Sequence, residues 1–234
     1  MSENQDQLKA AAAESAAARV TDGMIVGLGS GSTAALAVSA LGRRVGGGLH
    51  ITGIPTSEAT AAQAKALGIP LTTLAEVSSI DMTIDGADEV EQGSLDLIKG
   101  LGGALLREKL VATATKALVI VADSSKLVTH LGAHDPIPVE VVPFGWESTA
   151  ARLAGLGAAP TLRRDTMREV FVTDGGHYIL DCRFGSIASA EALASELDHV
   201  VGVVEHGLFI GMTSEVHLAG ADGVRVLKRR FERR

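Results

Sequence analysis

Aromatic side chains are scarce: five Phe, one Trp and one Tyr make up 3% of 234 residues, although hydrophobic residues reach 46%. A core without ring-sized side chains has to be filled by Ala, Val, Leu and Ile in packed helices and buried strands, which predicts an α/β architecture. Cysteine is nearly missing. Cys182 stands alone, which excludes an intramolecular disulfide framework, and its place in the apolar run "YILDCRF" reads as a small core side chain in a reducing compartment. No apolar stretch approaches the roughly 18 residues of a membrane-crossing helix, and the opening "MSENQDQLKAAAAESAAARV" lacks the basic and apolar regions of a secretory leader. A cytoplasmic protein with no membrane partner is expected. Positive charge is also in deficit, at a formal −7. Phosphate backbones are held by clustered Lys and Arg, so no nucleic-acid partner is expected. The one basic run, Lys228, Arg229, Arg230, Arg233 and Arg234, reads as a solvated tail.

What is present is a regular alternation of apolar strands and Ala-rich helices. The opening segment predicts a helix ending near Thr21-Asp22-Gly23. "MIVGLG" follows as a strand, "STAALAVSALGRR" as a helix, "HITGIP" as a strand and "SEATAAQAKALG" as a helix closed by Gly68. "IPLTTL", "IDMTID", "SLDLIKG", the helix "GALLREKLVATATK" and the strand "ALVIVAD" continue the series. Such alternation predicts a Rossmann-like, doubly wound, mostly parallel sheet covered on both faces. After Lys126 the pattern becomes strand, helix, hairpin, helix, strand. "REVFVTDGGHYILDCRF" is the hairpin, with "TDGG" supplying the positive φ its turn requires. This second part predicts a smaller α+β unit of ferredoxin-like type over residues 131–205, with residues 1–130 and 206–234 forming the larger unit.

Three segments carry chemistry. "GLGSGSTA", Gly27 to Ala34, lies between a strand and a helix, where backbone N–H groups and the hydroxyls of Ser30, Ser32 and Thr33 suit an anion such as phosphate. It is not a dinucleotide fingerprint, because Ser32 holds the third glycine position. "DGADE" follows an apolar strand and places Asp85 and Asp88 where parallel sheets collect ligands. Two neighbouring carboxylates suit proton exchange with sugar hydroxyls. In "KGLGGALLREK", Lys99 offers a fixed positive charge near a developing oxyanion, and the glycine turn allows close approach of backbone donors. A helical wheel puts Leu106, Leu110 and Ala114 on an apolar stripe and Glu108 on its flank, beside Ala104, Ala112 and Thr115. In isolation, each segment also fits an ordinary capped turn or a surface carboxylate.

Taken together and in order, "GLGSGST", "DGADE", "KGLGGALLREK" and "ADSSK" resemble ribose-5-phosphate isomerases of the A type, and "PIPVEVVP", "VTDGG" and "DGV" extend the likeness over nearly the whole chain. The resemblance implies interconversion of ribose 5-phosphate and ribulose 5-phosphate, with Glu108 as the base that shuttles the proton. It implies Lys99, Asp85 and Asp88 as its catalytic neighbours. Substrate contacts are implied at Ser30, Gly31, Ser32 and Thr33, at Asp85, Gly86, Ala87 and Asp88, at Lys99, Gly100, Leu101 and Gly102, and at Lys126. Leu101 interrupts a glycine run that is usually unbroken in such proteins, and Ser30 stands where threonine is common. No cofactor and no metal are implied. His130 and His134 are four apart, but Gly132 and Pro136 make their segment a loop rather than a ligating helix face. A homodimer is expected. Two other activities fit parts of the pattern: a sugar-phosphate-sensing module without turnover, and a coenzyme A transferase with Glu108 as nucleophile.

Overall fold

The computed structural model describes residues 2–185 and 187–229, without the side chains of residues 2–4. Of the basic run, Lys228 and Arg229 fall within these limits; residues 230–234 lie outside the described residues. The first half runs α1 (Ser2–Ala17), β1 (Ile25–Leu28), α2 (Ser32–Gly46), β2 (Thr52–Pro55), α3 (Glu58–Ala66), β3 (Met82–Gly86), β4 (Glu89–Glu91), β5 (Leu97–Ile98), α4 (Leu105–Thr113), β6 (Leu118–Asp123) and β7 (Leu127–Val128). The second half runs β8 (Ile137–Val141), α5 (Trp146–Gly155), β9 (Ala159–Leu162), β10 (Tyr178–Arg183), α6 (Ala190–Asp198), β11 (Val203–His206), β12 (Leu208–Phe209), β13 (Thr213–Gly220) and β14 (Gly223–Lys228).

Six strands form the main sheet in the order β14-β13-β6-β3-β1-β2. All neighbours are parallel except the edge hairpin β13–β14. The expected doubly wound sheet is therefore observed, and the chain returns to it after the second part. Small side chains set its packing. Ala12, Ala13, Ala16 and Ala17 of α1 lie fully buried against Ala37, Val38 and Leu41 of α2 and the strand residues Val26, Leu28, Val119 and Val121. Alanine at these positions lets helix and sheet backbones approach closely, and this replaces the missing aromatic bulk. Helices α1, α2 and α3 cover this face. The opposite face is covered by α4 and by a small mixed sheet, β12-β5-β4-β7, which buries Phe209, Leu97 and Val90 against Ile120 and Leu218. No sequence pattern announces strands of two or three residues, and this small sheet was not anticipated.

The second part is a four-stranded sheet in the order β11-β8-β10-β9, with every pair antiparallel. With α5 after β8 and α6 after β10, it has the split βαβ arrangement of a ferredoxin-like unit. Cys182 is buried in its core, where burial pushes the thiol up to about 12. One expected element is wrong. "REVFV" does not pair with "YILDCRF"; its place is taken by β9, and of "REVFV" only Val170 makes a bridge, to Arg164. The Asp165 carboxylate accepts the N–H groups of Met167 and Glu169, and Arg168 adopts φ 67. This local side-chain turn outcompetes strand pairing. "TDGG" remains a tight turn, closed by the Thr173 N–H donating to the His177 carbonyl at 2.9 Å. "IPLTTL" contributes a single bridge, Gly53 to Leu71, and α1 stops at Ala17, short of Thr21.

Candidate active site

In the main sheet β1 lies between β2 and β3, so the chain leaves β1 toward opposite sides. Such a switch point opens a crevice beyond the carboxyl ends of the two central strands. The turns after β1 and β3 are "GSGS" and "ADE", and both enter it. The helix after the first is capped by Gly31 at φ 88, and its opening residues carry no acidic side chain. The N–H groups of this first turn suit an anion, since the turn carries no acidic side chain. Gly29 makes the two turns fit together. A Cβ there would stand 2.2 Å from Asp85 Oδ1 and 2.6 Å from Asp85 Cα, so no other residue leaves room for the aspartate.

Asp85 is 1% exposed and fully engaged. Its Oδ1 accepts the N–H groups of Ser30 at 3.1 Å and Gly86 at 2.8 Å, while its Oδ2 lies 3.0 Å from Lys99 Nζ. Lys99 also donates to the Gly86 carbonyl at 2.6 Å and lies 3.3 Å from Glu108 Oε1. Beneath it, the Phe209 ring centroid is 5.6 Å from Nζ, a cation–π contact no sequence motif indicated. Burial alone would lower the ammonium pKa, but Asp85, Glu108 and Asp88 outweigh it and hold Lys99 above the ordinary lysine value. Asp88 is less enclosed and accepts the Leu101 N–H at 2.9 Å; burial raises its carboxyl above the usual range against the pull of that N–H and of Lys99.

Glu108 differs from its expected place. The buried face of α4 is Leu105, Glu108, Val111 and Ala112, while Leu110 is half exposed. Glu108 is thus the polar member of the inward stripe rather than a neighbour on its flank. Burial, reinforced by Asp85 and Asp88, pushes its carboxyl up to about 8 against the attraction of Lys99. Its Oε2 is buried and has no hydrogen-bond partner among the described residues. A buried carboxyl oxygen left unpaired is costly, and this one lies on the wall of the cleft.

Ser30, Gly31, Ser32, Thr33, Gly86, Ala87, Asp88, Lys99, Gly100, Gly102, Glu108 and Lys126 line one cleft. Asp85 lies below its floor. Leu101 breaks the glycine run without strain, since it is not among the residues at positive φ; its side chain is exposed while its N–H reaches Asp88. The Ser30 hydroxyl turns away to Thr56, Ser57 and Thr60, at 2.7, 2.9 and 3.2 Å. Two lining residues were missed: Gln5 and Lys9 of α1, the latter 3.3 Å from Ser32 Oγ. A lysine in an Ala-rich amphipathic helix looks like any solvated charge, and only the fold brings it over the α2 N-terminus. Among the described residues, Asp198, Glu205 and His206 group their ligand atoms as a metal site would, but Lys109 Nζ is 2.5 Å from Glu205 Oε1 and fills that space with an ammonium.

A buried ammonium among three carboxyls, beside a helix N-terminus, is an arrangement suited to proton transfer on a small phosphorylated polyol. The family model for ribose 5-phosphate isomerase A (phosphoriboisomerase A) matches residues 52–223. Ribose-5-phosphate isomerase A of Gloeobacter violaceus is 60% identical over 222 residues, 95% of this chain and 96% of that protein. The structure of ribose 5-phosphate isomerase A from Methanocaldococcus jannaschii superimposes with a TM-score of 0.91 at 40% identity, covering 95% of this chain and 99% of the other. A D-ribose-5-phosphate isomerase in complex with phospho-erythronic acid gives 0.93 at 34% identity, covering 96% and 99%. The chain belongs to the ribose 5-phosphate isomerase A family.

Proposed function

We propose that the chain interconverts D-ribose 5-phosphate and D-ribulose 5-phosphate, the activity of its family, through an enediolate, with Glu108 carrying the proton between C2 and C1. The observation that carries the reading is the free, buried Oε2 of Glu108 at the cleft wall, its other oxygen held by Lys99. Aldose and ketose differ by a hydrogen moved between C2 and C1 and by a hydroxyl proton moved in the same sense between O2 and O1. One carboxylate above both carbons removes the carbon-bound hydrogen from C2 and returns it to C1. The enediolate formed between these steps carries negative charge on oxygen. Lys99, fixed by Asp85 and the Gly86 carbonyl, stabilises that charge more than the neutral sugar. Phospho-erythronic acid, bound by a relative, presents a planar carboxylate next to a phosphorylated polyol, and so resembles the enediolate in shape and charge.

Asp88 suits ring opening better than Asp85. Asp85 spends both oxygens on the Ser30 and Gly86 N–H groups and on Lys99, whereas Asp88 has one backbone donor and a raised pKa. The 5-phosphate sits at the α2 N-terminus with Ser32, Thr33, Lys9 and Lys126, which fixes the reacting carbons relative to Glu108. The Ser30 hydroxyl supports the loop from behind. No helix among the described residues is long and apolar enough to cross a membrane, and a cytoplasmic setting agrees with the single buried thiol. Glu108→Gln is the direct test: shape and volume persist but the base is lost. Turnover should disappear while phospho-erythronic acid still binds; a variant that still forms ribulose 5-phosphate removes Glu108 from the mechanism.

A further inference from the structure

The glycine turn after Lys99 is held from outside by the second sheet. Arg163 follows β9, and its N–H donates to the Ile179 carbonyl at 2.9 Å, extending the β9–β10 ladder by one residue. Its side chain is only 10% exposed. Asp181 of β10 takes the guanidinium as a fork, from Nε at 2.9 Å and from Nη2. This leaves Nη1 aimed at the turn, where it donates to the Gly100 carbonyl at 2.8 Å and the Leu101 carbonyl at 3.0 Å. Phe171 completes the clamp: its ring centroid is 5.9 Å from the guanidinium, and a Cβ on Gly103 would stand 2.4 Å from the ring.

In a planar trans peptide the C=O of one residue and the N–H of the next point in opposite directions. Drawing the Gly100 carbonyl outward turns the Leu101 N–H inward, and it is found on Asp88 at 2.9 Å. Drawing the Leu101 carbonyl outward does the same for the N–H of Gly102, a residue of the cleft wall. Two successive N–H groups directed to one side form an anion-binding nest. We propose that Arg163 is a positioning residue for the isomerisation: held by Asp181, it fixes the Gly100 and Leu101 carbonyls so that the Leu101 and Gly102 N–H groups are aligned for Asp88 and for the enediolate oxygen. This inference rests on the isomerase reading, and it gives the second sheet a part in catalysis although none of its strands lines the cleft.

The test uses the full chain with Arg163→Met, Arg163→Lys and Asp181→Asn, measuring kcat, KM, melting temperature, and binding of phospho-erythronic acid and of inorganic phosphate. Loss of one well-placed oxyanion donor lowers kcat about 10²–10³-fold, so misalignment through Arg163→Met should lower it roughly tenfold to a hundredfold. KM should change less than about threefold, phospho-erythronic acid affinity should fall with kcat, and inorganic phosphate affinity should hold. Arg163→Lys should recover part of the loss, because an ammonium can reach a carbonyl but cannot keep the Asp181 fork. If Arg163→Met does not fold, Asp181→Asn, which keeps the guanidinium and weakens its fork, should show the same split at smaller size. Unchanged kcat in a folded Arg163→Met overturns the inference alone, as does a parallel loss of kcat, phosphate affinity and melting temperature. A wild-type chain that does not interconvert the two sugars overturns both it and the isomerase reading.

Discussion

A carboxyl group buried beside an ammonium, with one oxygen unpaired, is kept at a cost, and Glu108 shows the sign of that cost. Its carboxyl is pushed from an ordinary 4.5 up to about 8 by burial. Between those values the native chain keeps a proton that the unfolded chain has released, so wild-type stability falls as pH rises through this window and levels off above it. Glu108→Gln carries no such proton. The melting temperature of the variant relative to wild type should therefore climb between about pH 4.5 and pH 8; a constant difference would mean that Glu108 titrates normally. Activity should run the other way, rising toward pH 8 as the base ionises. The grouping of Asp85, Asp88, Lys99 and Glu108 was legible because "DGADE" and "KGLGGALLREK" keep charged residues and glycine side by side. The different surroundings of the two aspartates were not, since they look alike until Asp85 is seen holding two backbone N–H groups and Lys99, and Asp88 one N–H. Lys9 gave no signal at all.

Elements built from long periodic runs were legible. The α2 stripe of Ala34, Ala37, Val38 and Leu41 and the unbroken apolar run of β6 read directly from spacing. The pairing of the shortest strands was not: β5, β7 and β12 have two residues each, and their joining into a sheet of their own depends on partners distant in sequence. At "REVFV" a β-like composition misled, because the Asp165 carboxylate holds the N–H groups of Met167 and Glu169 in a local turn. The turns after β1 and β3 meet closely at Gly29. Gly29→Ala would drive a Cβ to 2.6 Å from the Asp85 backbone, which cannot retreat as a flexible side-chain tip can. We expect a loss of about 1–3 kcal/mol, typical of overpacking, visible as a lower denaturant midpoint, together with reduced turnover as Asp85 releases Lys99. An unaltered midpoint would show that the two turns have slack.

At the scale of the molecule, we propose residues 131–205 as a separate unit, which meets the rest of the chain at several places, among them Arg163 and Phe171 at the glycine turn and Glu205 at Lys109. The smaller sheet also bears a surface patch. Phe144 is 95% exposed, Val201 77% and Val142 40%, and the Val142 N–H bonds the Gly202 carbonyl at 2.9 Å, which keeps them at one end. A ring this exposed in a chain with only five Phe fits burial against a second copy. Sedimentation should give a dimer for the wild type and a shift to monomer for Phe144→Asp; a wild-type monomer would leave the patch for another role.

The measurement that bears most directly on proton transfer by Glu108 is the deuterium content of the sugar after turnover in deuterated water. Label should enter at C2 of ribose 5-phosphate and C1 of ribulose 5-phosphate with the wild-type chain and at neither carbon with Glu108→Gln. Rapid interconversion with no label at either carbon in the wild type, or equal labelling with the Gln variant, would contradict a carboxylate that exchanges its proton while carrying it between adjacent carbons.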